Sequence, residues 1–148
     1  MNIALGSDHA GFQLKNNIAE YLKTANRSYK DYGVFSNEIA DYPDIATLVA
    51  KAVLSGECSC GILICGTGIG MSIAANKYKE IRAALCSETY SACCARKHND
   101  ANILTMGSRV IGPGLAVDIV AAFLDTSFES GRHMRRLDKI TSIENNSG

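Results

Sequence analysis

Gly61-Ile62-Leu63-Ile64-Cys65-Gly66-Thr67-Gly68-Ile69-Gly70, running on into Met71-Ser72-Ile73-Ala74-Ala75-Asn76-Lys77, is the stretch on which the reading of this chain turns. The apolar run that ends at Cys65 predicts a buried parallel strand, and Met71 to Tyr78 predicts a helix. Cys65 then stands where the carboxyl end of a strand meets the amino end of a helix. Open α/β sheets place their ligands at such points. Backbone N–H groups and the helix dipole there favour an anion, whether a thiolate or a bound oxyanion.

Outward from this stretch, strand-like and helix-like segments alternate. Asn2 to Gly6 reads as a short strand, followed by the turn Ser7-Asp8-His9-Ala10-Gly11. A helix to about Thr24 carries Leu14, Ile18, Tyr21 and Leu22 on one face. Ser28 to Tyr32 is a weakly patterned strand, and Gly33 to Pro43 a polar connection long enough to be a functional loop. Asp44 offers the N-cap of a helix bearing Ile45, Leu48, Val49 and Ala52, stopped by Gly56. Arg82–Cys86 and Asn102–Met106 read as strands around a helix that Ser87 or Glu88 opens and His98-Asn99-Asp100 ends. A helix with Leu115, Ala116, Ile119, Val120 and Phe123 inside comes next. The last helix is expected at about 132–143, with a polar tail from Glu144 to Gly148 that frays. The alternation calls for one α/β domain over residues 1–148, a parallel sheet with helices on both faces.

Composition narrows the function. The chain has 148 residues, is 47% hydrophobic, and carries 15 Lys plus Arg against 15 Asp plus Glu. Charge balance argues against a nucleic-acid or anionic-membrane surface. No run nears the ~20 apolar residues of a membrane span, and Met1-Asn2-Ile3-Ala4-Leu5 lacks a charged lead-in, so a cytoplasmic location is expected. The six cysteines (58, 60, 65, 86, 93 and 94) do not read as a disulfide framework in a chain this apolar. Cys58-Ser59-Cys60 and adjacent Cys93-Cys94 have the wrong spacing for structural zinc. Asn26-Arg27-Ser28 and Asn145-Asn146-Ser147 are chance glycosylation matches in that compartment.

The glycine turn is Gly-x-Gly-x-Gly, which departs from both the dinucleotide fingerprint and the P-loop. It is either a tight strand-to-helix turn or a nest of N–H groups for one oxyanion. The Cys65 thiol and Thr67 hydroxyl beside it tilt the reading towards reaction. Cys65 is otherwise a small buried hydrophobe; as a thiolate it is a nucleophile or a general base, and spacing does not separate the two. The other cysteines read as packing or surface residues. His9 and His98 lie in polar turns where an imidazole exchanges protons, and His133 flanks a basic cluster. Asp8 orients His9 or caps a helix, and both readings stay open. Arg132 and Arg136 share a helix face and grip one anion, or form a solvated basic face; Arg109 adds a third fork. Asp8, His9, the Cys65–Gly70 turn and Arg109 follow strands and converge on one edge of the sheet. His98 precedes a strand, so it falls on the opposite edge. If it works with Cys65, a second subunit supplies it.

Ser7-Asp8-His9-Ala10-Gly11-Phe12, Asp41-Tyr42-Pro43, the Gly61–Gly70 stretch, Ile73-Ala74-Ala75-Asn76-Lys77, Ile81-Arg82-Ala83, Ser87-Glu88, His98-Asn99-Asp100-Ala101-Asn102 and Gly131-Arg132-His133 closely resemble the ribose/galactose isomerase family, in order along the whole chain. The resemblance implies a Rossmann-like three-layer α/β/α sandwich with a five-stranded parallel sheet. It also implies interconversion of ribose 5-phosphate and ribulose 5-phosphate through an enediolate, with neither metal nor cofactor. A homodimer, or a dimer of dimers, would share its active sites between subunits. Carried over, Cys65 would be the base, assisted by Thr67, with the Gly66, Thr67, Gly68, Ile69 and Gly70 amides holding the oxyanion. His98, with Asp8 nearby, would open the sugar ring. Asn99 would bind substrate, Tyr42 would line the pocket, and His9, Arg109, Arg132 and Arg136 would take the phosphate.

Met71 replaces a commoner small or branched residue of that family, and Met134 and Arg135 add bulk and charge beside the arginines, so sugar preference is less fixed than reaction type. Galactose 6-phosphate or allose 6-phosphate is the alternative substrate. A phosphosugar- or nucleotide-binding module without turnover, or a thiol redox protein, is the alternative class; neither accounts for His98, Asn99 and three arginines accompanying the cysteine.

Overall fold

The structure is a computed structural model that describes residues 1–147. The described residues form eleven elements, strands and helices in alternation up to a final pair of helices: β1 (Asn2–Ser7), α1 (Phe12–Thr24), β2 (Ser28–Asp31), α2 (Tyr42–Leu54), β3 (Cys60–Cys65), α3 (Ile69–Ala75), β4 (Ala83–Leu85), α4 (Thr89–Asn99), β5 (Ile103–Gly107), α5 (Pro113–Asp125) and α6 (Arg132–Asn146). Every strand pairing is parallel, and the five strands lie in the order β2-β1-β3-β5-β4. This is the α/β Rossmann-like architecture expected. After β2 the chain crosses to the other side of β1, so the strand order reverses between β1 and β3 and leaves a crevice at their carboxyl ends.

Period-two alternation along buried β3 sorts the core into two layers. Cys60, Ile62 and Ile64 join Leu14, Ile18 and Leu22 of α1, Ala92 and Ala95 of α4, and Ile119, Val120 and Phe123 of α5. Leu63 and Cys65 point the other way, among Ile45, Val49 and Ala52 of α2 and Met71 and Ala75 of α3. The second layer sits very close to the sheet. A Cβ on Gly61 would lie 2.6 Å from Val49, and one on Gly6 2.7 Å from Ile45. Glycine at these two strand positions is what lets α2 settle onto β1 and β3.

Several helix boundaries differ from expectation, the end of α3 among them, at Ala75 and not Tyr78. Asp41, not Asp44, stands at the N-cap position of α2, without a side-chain hydrogen bond to the helix; Pro43 suits the first turn because its fixed φ is helical and its missing N–H needs no partner there, leaving Asp44 as a first-turn acid beside the dipole. The α3 helix starts at Ile69, earlier than Met71, because Gly68 takes a left-handed conformation (φ 79°) that turns the strand directly into the helix. The final helix reaches Asn146, beyond the expected end near 143, where the Glu144 carboxylate accepts the Glu80 N–H at 3.1 Å. Gly148 lies outside the described residues.

Burial pushes the thiols of Cys60 and Cys86 up to about 11. The folded state therefore holds protons that the unfolded chain releases from about pH 9. Stability is expected to be level below that pH and to fall by about 2–3 kcal/mol per thiol by pH 11. Urea titrations across this range should find a shallower fall in Cys60→Ala than in the parent; an unchanged slope would contradict it.

Candidate active site

Within one chain the expected site residues form two groups, at opposite ends of the strands. The first surrounds the crevice. Cys65 ends β3 with 5% of its surface exposed, and its Sγ accepts the Gly68 N–H at 3.0 Å. Thr67 is exposed; its Oγ1 accepts the Ile69 N–H at 3.3 Å, which leaves the hydroxyl proton free to donate outward. Two of the five turn amides are therefore already engaged, one of them on the sulfur itself. The side chain of Arg109 lies over Gly66, with Nη1 3.3 Å from where a Cβ would stand, and its N–H donates to the Gly66 carbonyl at 3.0 Å. The Tyr42 ring rests on Gly70, 2.8 Å from a Cβ position there.

Asp8 and His9 border the same crevice. The Asp8 N–H donates to the Ile64 carbonyl, tying the β1 loop to β3, and Asp8 Oδ1 accepts the Gly11 N–H at 3.0 Å. Of the two roles left open for Asp8, its hydrogen bond serves the turn into α1 and not His9. His9 Nδ1 instead accepts the Ala40 N–H at 3.3 Å, drawing the connection before α2 towards the site. Ser108, which the sequence did not single out, donates Oγ–H to the Ala10 carbonyl at 2.7 Å and its N–H to the Cys65 carbonyl at 2.8 Å. It stitches the loops after β1, β3 and β5 together. Its only sequence signal was its place after a strand.

Gly68 is the position on which this geometry rests. Its φ is strained for any other residue, and a Cβ would lie 2.6 Å from Leu85 and 2.8 Å from the Met106 backbone. Gly68→Ala is expected to cost more than about 2 kcal/mol of stability and most of the activity, because the N–H held to Cys65 must move. Thermal melts and turnover measured together check this.

The second group lies at the amino ends of the strands. His98 and Asn99 end α4, with Asp100 as the left-handed C-cap, and Arg132 and Arg136 lie on α6. β5 separates this edge from the Cys65 edge by roughly 15 Å, the length of five strand residues. Asp8 therefore does not accompany His98 within one chain, and Arg132 and Arg136 do not join His9 and Arg109. His133, expected only to flank the basic cluster, is buried, and its ring stacks on His98 with centroids 4.5 Å apart. His133 and the buried Leu137 are four residues apart on α6, a spacing that marked this face.

Among the described residues, His98, Glu129 and His133 are the one trio whose potential ligand atoms lie within 4.8 Å of one another. The guanidinium of Arg136 lies 3.4 Å from His133 Nδ1, a setting that suits an anion better than a cation. The cysteine pairs assemble no comparable group among the described residues. Lys15, 1% exposed, pairs with Asp31 and lies over the rings of Phe12 and Phe35. The helical stripe of α1 gave no sign of this buried charge.

The family model described as Ribose/Galactose Isomerase matches residues 3–140. The chain belongs to that family. Ribose-5-phosphate isomerase B of Escherichia coli strain K12 is 53% identical over 142 residues, 96% of this chain and 95% of that protein. The structure of ribose-5-phosphate isomerase B from Clostridium thermocellum superposes with a TM-score of 0.98 at 52% identity, covering 100% of both chains. That of the Thermotoga maritima ribose 5-phosphate isomerase gives 0.93 at 51% identity, covering 95% of this chain and 97% of that one. Membership of the ribose/galactose isomerase family thus spans both groups of site residues.

Proposed function

We propose that this chain is a ribose-5-phosphate isomerase, an aldose–ketose isomerase whose active site joins the Cys65 edge of one subunit to the His98 edge of another. The observation that carries this reading is the Cys65 sulfur held by the Gly68 N–H at the crevice between β1 and β3. A thiolate in that position has its charge met by a main-chain dipole before substrate arrives. Exposed Tyr42, Ile69, Ile73 and Leu85 around α3 support a second copy covering this edge.

In the assembled site the sugar enters as a closed furanose. His98 takes the O1 proton and protonates the ring oxygen, opening the aldehyde. Cys65 then removes the C2 proton to give the enediolate and returns it to C1, while the Thr67 hydroxyl shuttles the proton between O1 and O2. The turn amides not engaged by Cys65 and Thr67 stabilise the enediolate oxygen. Asn99 and Tyr42 hold the sugar. His9 and Arg109 of one subunit and Arg132 and Arg136 of the other hold the phosphate, whose geometry suits paired guanidinium forks. No step calls on a metal or cofactor, and the site belongs in the cytoplasm, where thiols stay reduced.

Incubating the protein with ribose 5-phosphate in deuterated water, with and without chelator, tests the reading. Ribulose 5-phosphate carrying deuterium at C1 is expected in both tubes. No ribulose 5-phosphate in either would overturn the assignment, and activity lost to the chelator would overturn the metal-free mechanism.

A further inference from the structure

His98 is not a free-standing imidazole. Its ring and that of His133 are stacked, 4.5 Å between centroids and 17° between planes. His133 is 4% exposed although basic residues flank it in sequence. Arg136 Nη1 lies 3.4 Å from His133 Nδ1. A guanidinium has donors only, so Nδ1 must offer its lone pair, which leaves the proton of the neutral ring on Nε2. Among the described residues that nitrogen has no hydrogen-bond partner; Glu129 Oε2 stands 3.7 Å away, too far to accept from it. Burial first, then His98, Arg132 and Arg136, push the His133 pKa down against the weaker opposite pull of Glu129. The result is a neutral imidazole in one tautomer, pinned by Arg136 and lying flat against His98.

We propose that His133 is a positioning residue for ring opening, a neutral platform that fixes the plane of the His98 ring while His98 takes up and returns the sugar proton. The inference rests on the role given to His98 above. In that step the O1 hydroxyl proton moves to His98, the C1–O4 bond breaks as C1–O1 becomes a carbonyl, and O4 receives a proton from the same imidazolium. The imidazolium that forms in passing faces His133 across the stack. A charged neighbour there would repel it, whereas a neutral one does not. An unsupported ring would also lose the alignment with O1 and O4 on which the transfer depends.

Ribulose 5-phosphate separates this role from a general structural one. Its C5 oxygen carries the phosphate, so it cannot close a five-membered ring, and exchange of its C1 hydrogen with deuterated water needs Cys65 but no ring opening. His133→Gln keeps a polar side chain and removes the ring; His133→Phe restores a flat, neutral ring. His133→Gln is expected to lower kcat for ribose 5-phosphate by about tenfold or more, and to leave C1 exchange at saturating ribulose 5-phosphate within about twofold. His133→Phe should recover most of the loss. Equal falls in both assays, no fall in either, or a Phe variant as slow as the Gln variant would overturn the proposal. Parent protein that neither isomerises nor exchanges would overturn the isomerase reading itself, a different outcome from any of these.

Discussion

Cys65→Ala is expected to leave a folded protein that isomerises ribose 5-phosphate about a thousandfold more slowly, or worse. The sulfur sits at the end of a fully buried strand and holds one amide, so its removal leaves a small gap and one freed N–H. The stability cost should stay at about 1–2 kcal/mol, because few atoms leave and a single N–H loses its partner. The groups assigned to phosphate are on other elements, so affinity for the sugar should change by no more than a few-fold. Calorimetric titration and kcat together separate these effects. Cys65→Ser should be nearly as slow, since a serine hydroxyl is a far weaker acid than a thiol and supplies almost no anion at neutral pH. A full rate in either variant would remove Cys65 from the mechanism.

The elements nearest that cysteine were the most legible. Strand β3 is an unbroken apolar run that stops at a cysteine and a glycine cluster, so both its burial and its end were written locally. The same holds for the convergence of the loops after β1, β3 and β5, which follows from parallel strands alone. Strand order was not legible, because parallel pairing is decided by long crossovers and not by neighbouring residues. The start of α2 shifted because two aspartates flank Pro43 and either suits an N-cap by type, and Pro43 in the first turn set the start at Asp41. His133 was misread and Lys15 passed over for a common reason. Each is a charged-type residue buried by partners distant in sequence, His98 for one and Asp31 for the other, and periodicity has no means of announcing a partner. The separation of Arg132 and Arg136 from Arg109 was missed because the basic residues were read as one set, although α6 follows the last helix of the sandwich and docks on α4 at the far edge.

The second large effect concerns that separation. Cys65→Ala and His98→Ala homodimers are each expected to be nearly inactive on ribose 5-phosphate, one lacking the proposed base and the other the proposed ring-opening group. If each site takes Cys65 from one subunit and His98 from its partner, a mixed dimer regains one intact site, with both lesions confined to the other. Random exchange makes half the dimers mixed, so activity should return to about a quarter of the parent value. No contact within a single chain could produce this recovery, since every chain present carries a lesion.

Mixing the two variants under conditions that allow subunits to exchange, and following turnover of ribose 5-phosphate, therefore tests the composite site most directly. Recovery to about a quarter of parent activity is the expected result. Mixed dimers that form, as read by mass spectrometry of the intact assembly, yet stay as inactive as the two parents would contradict it.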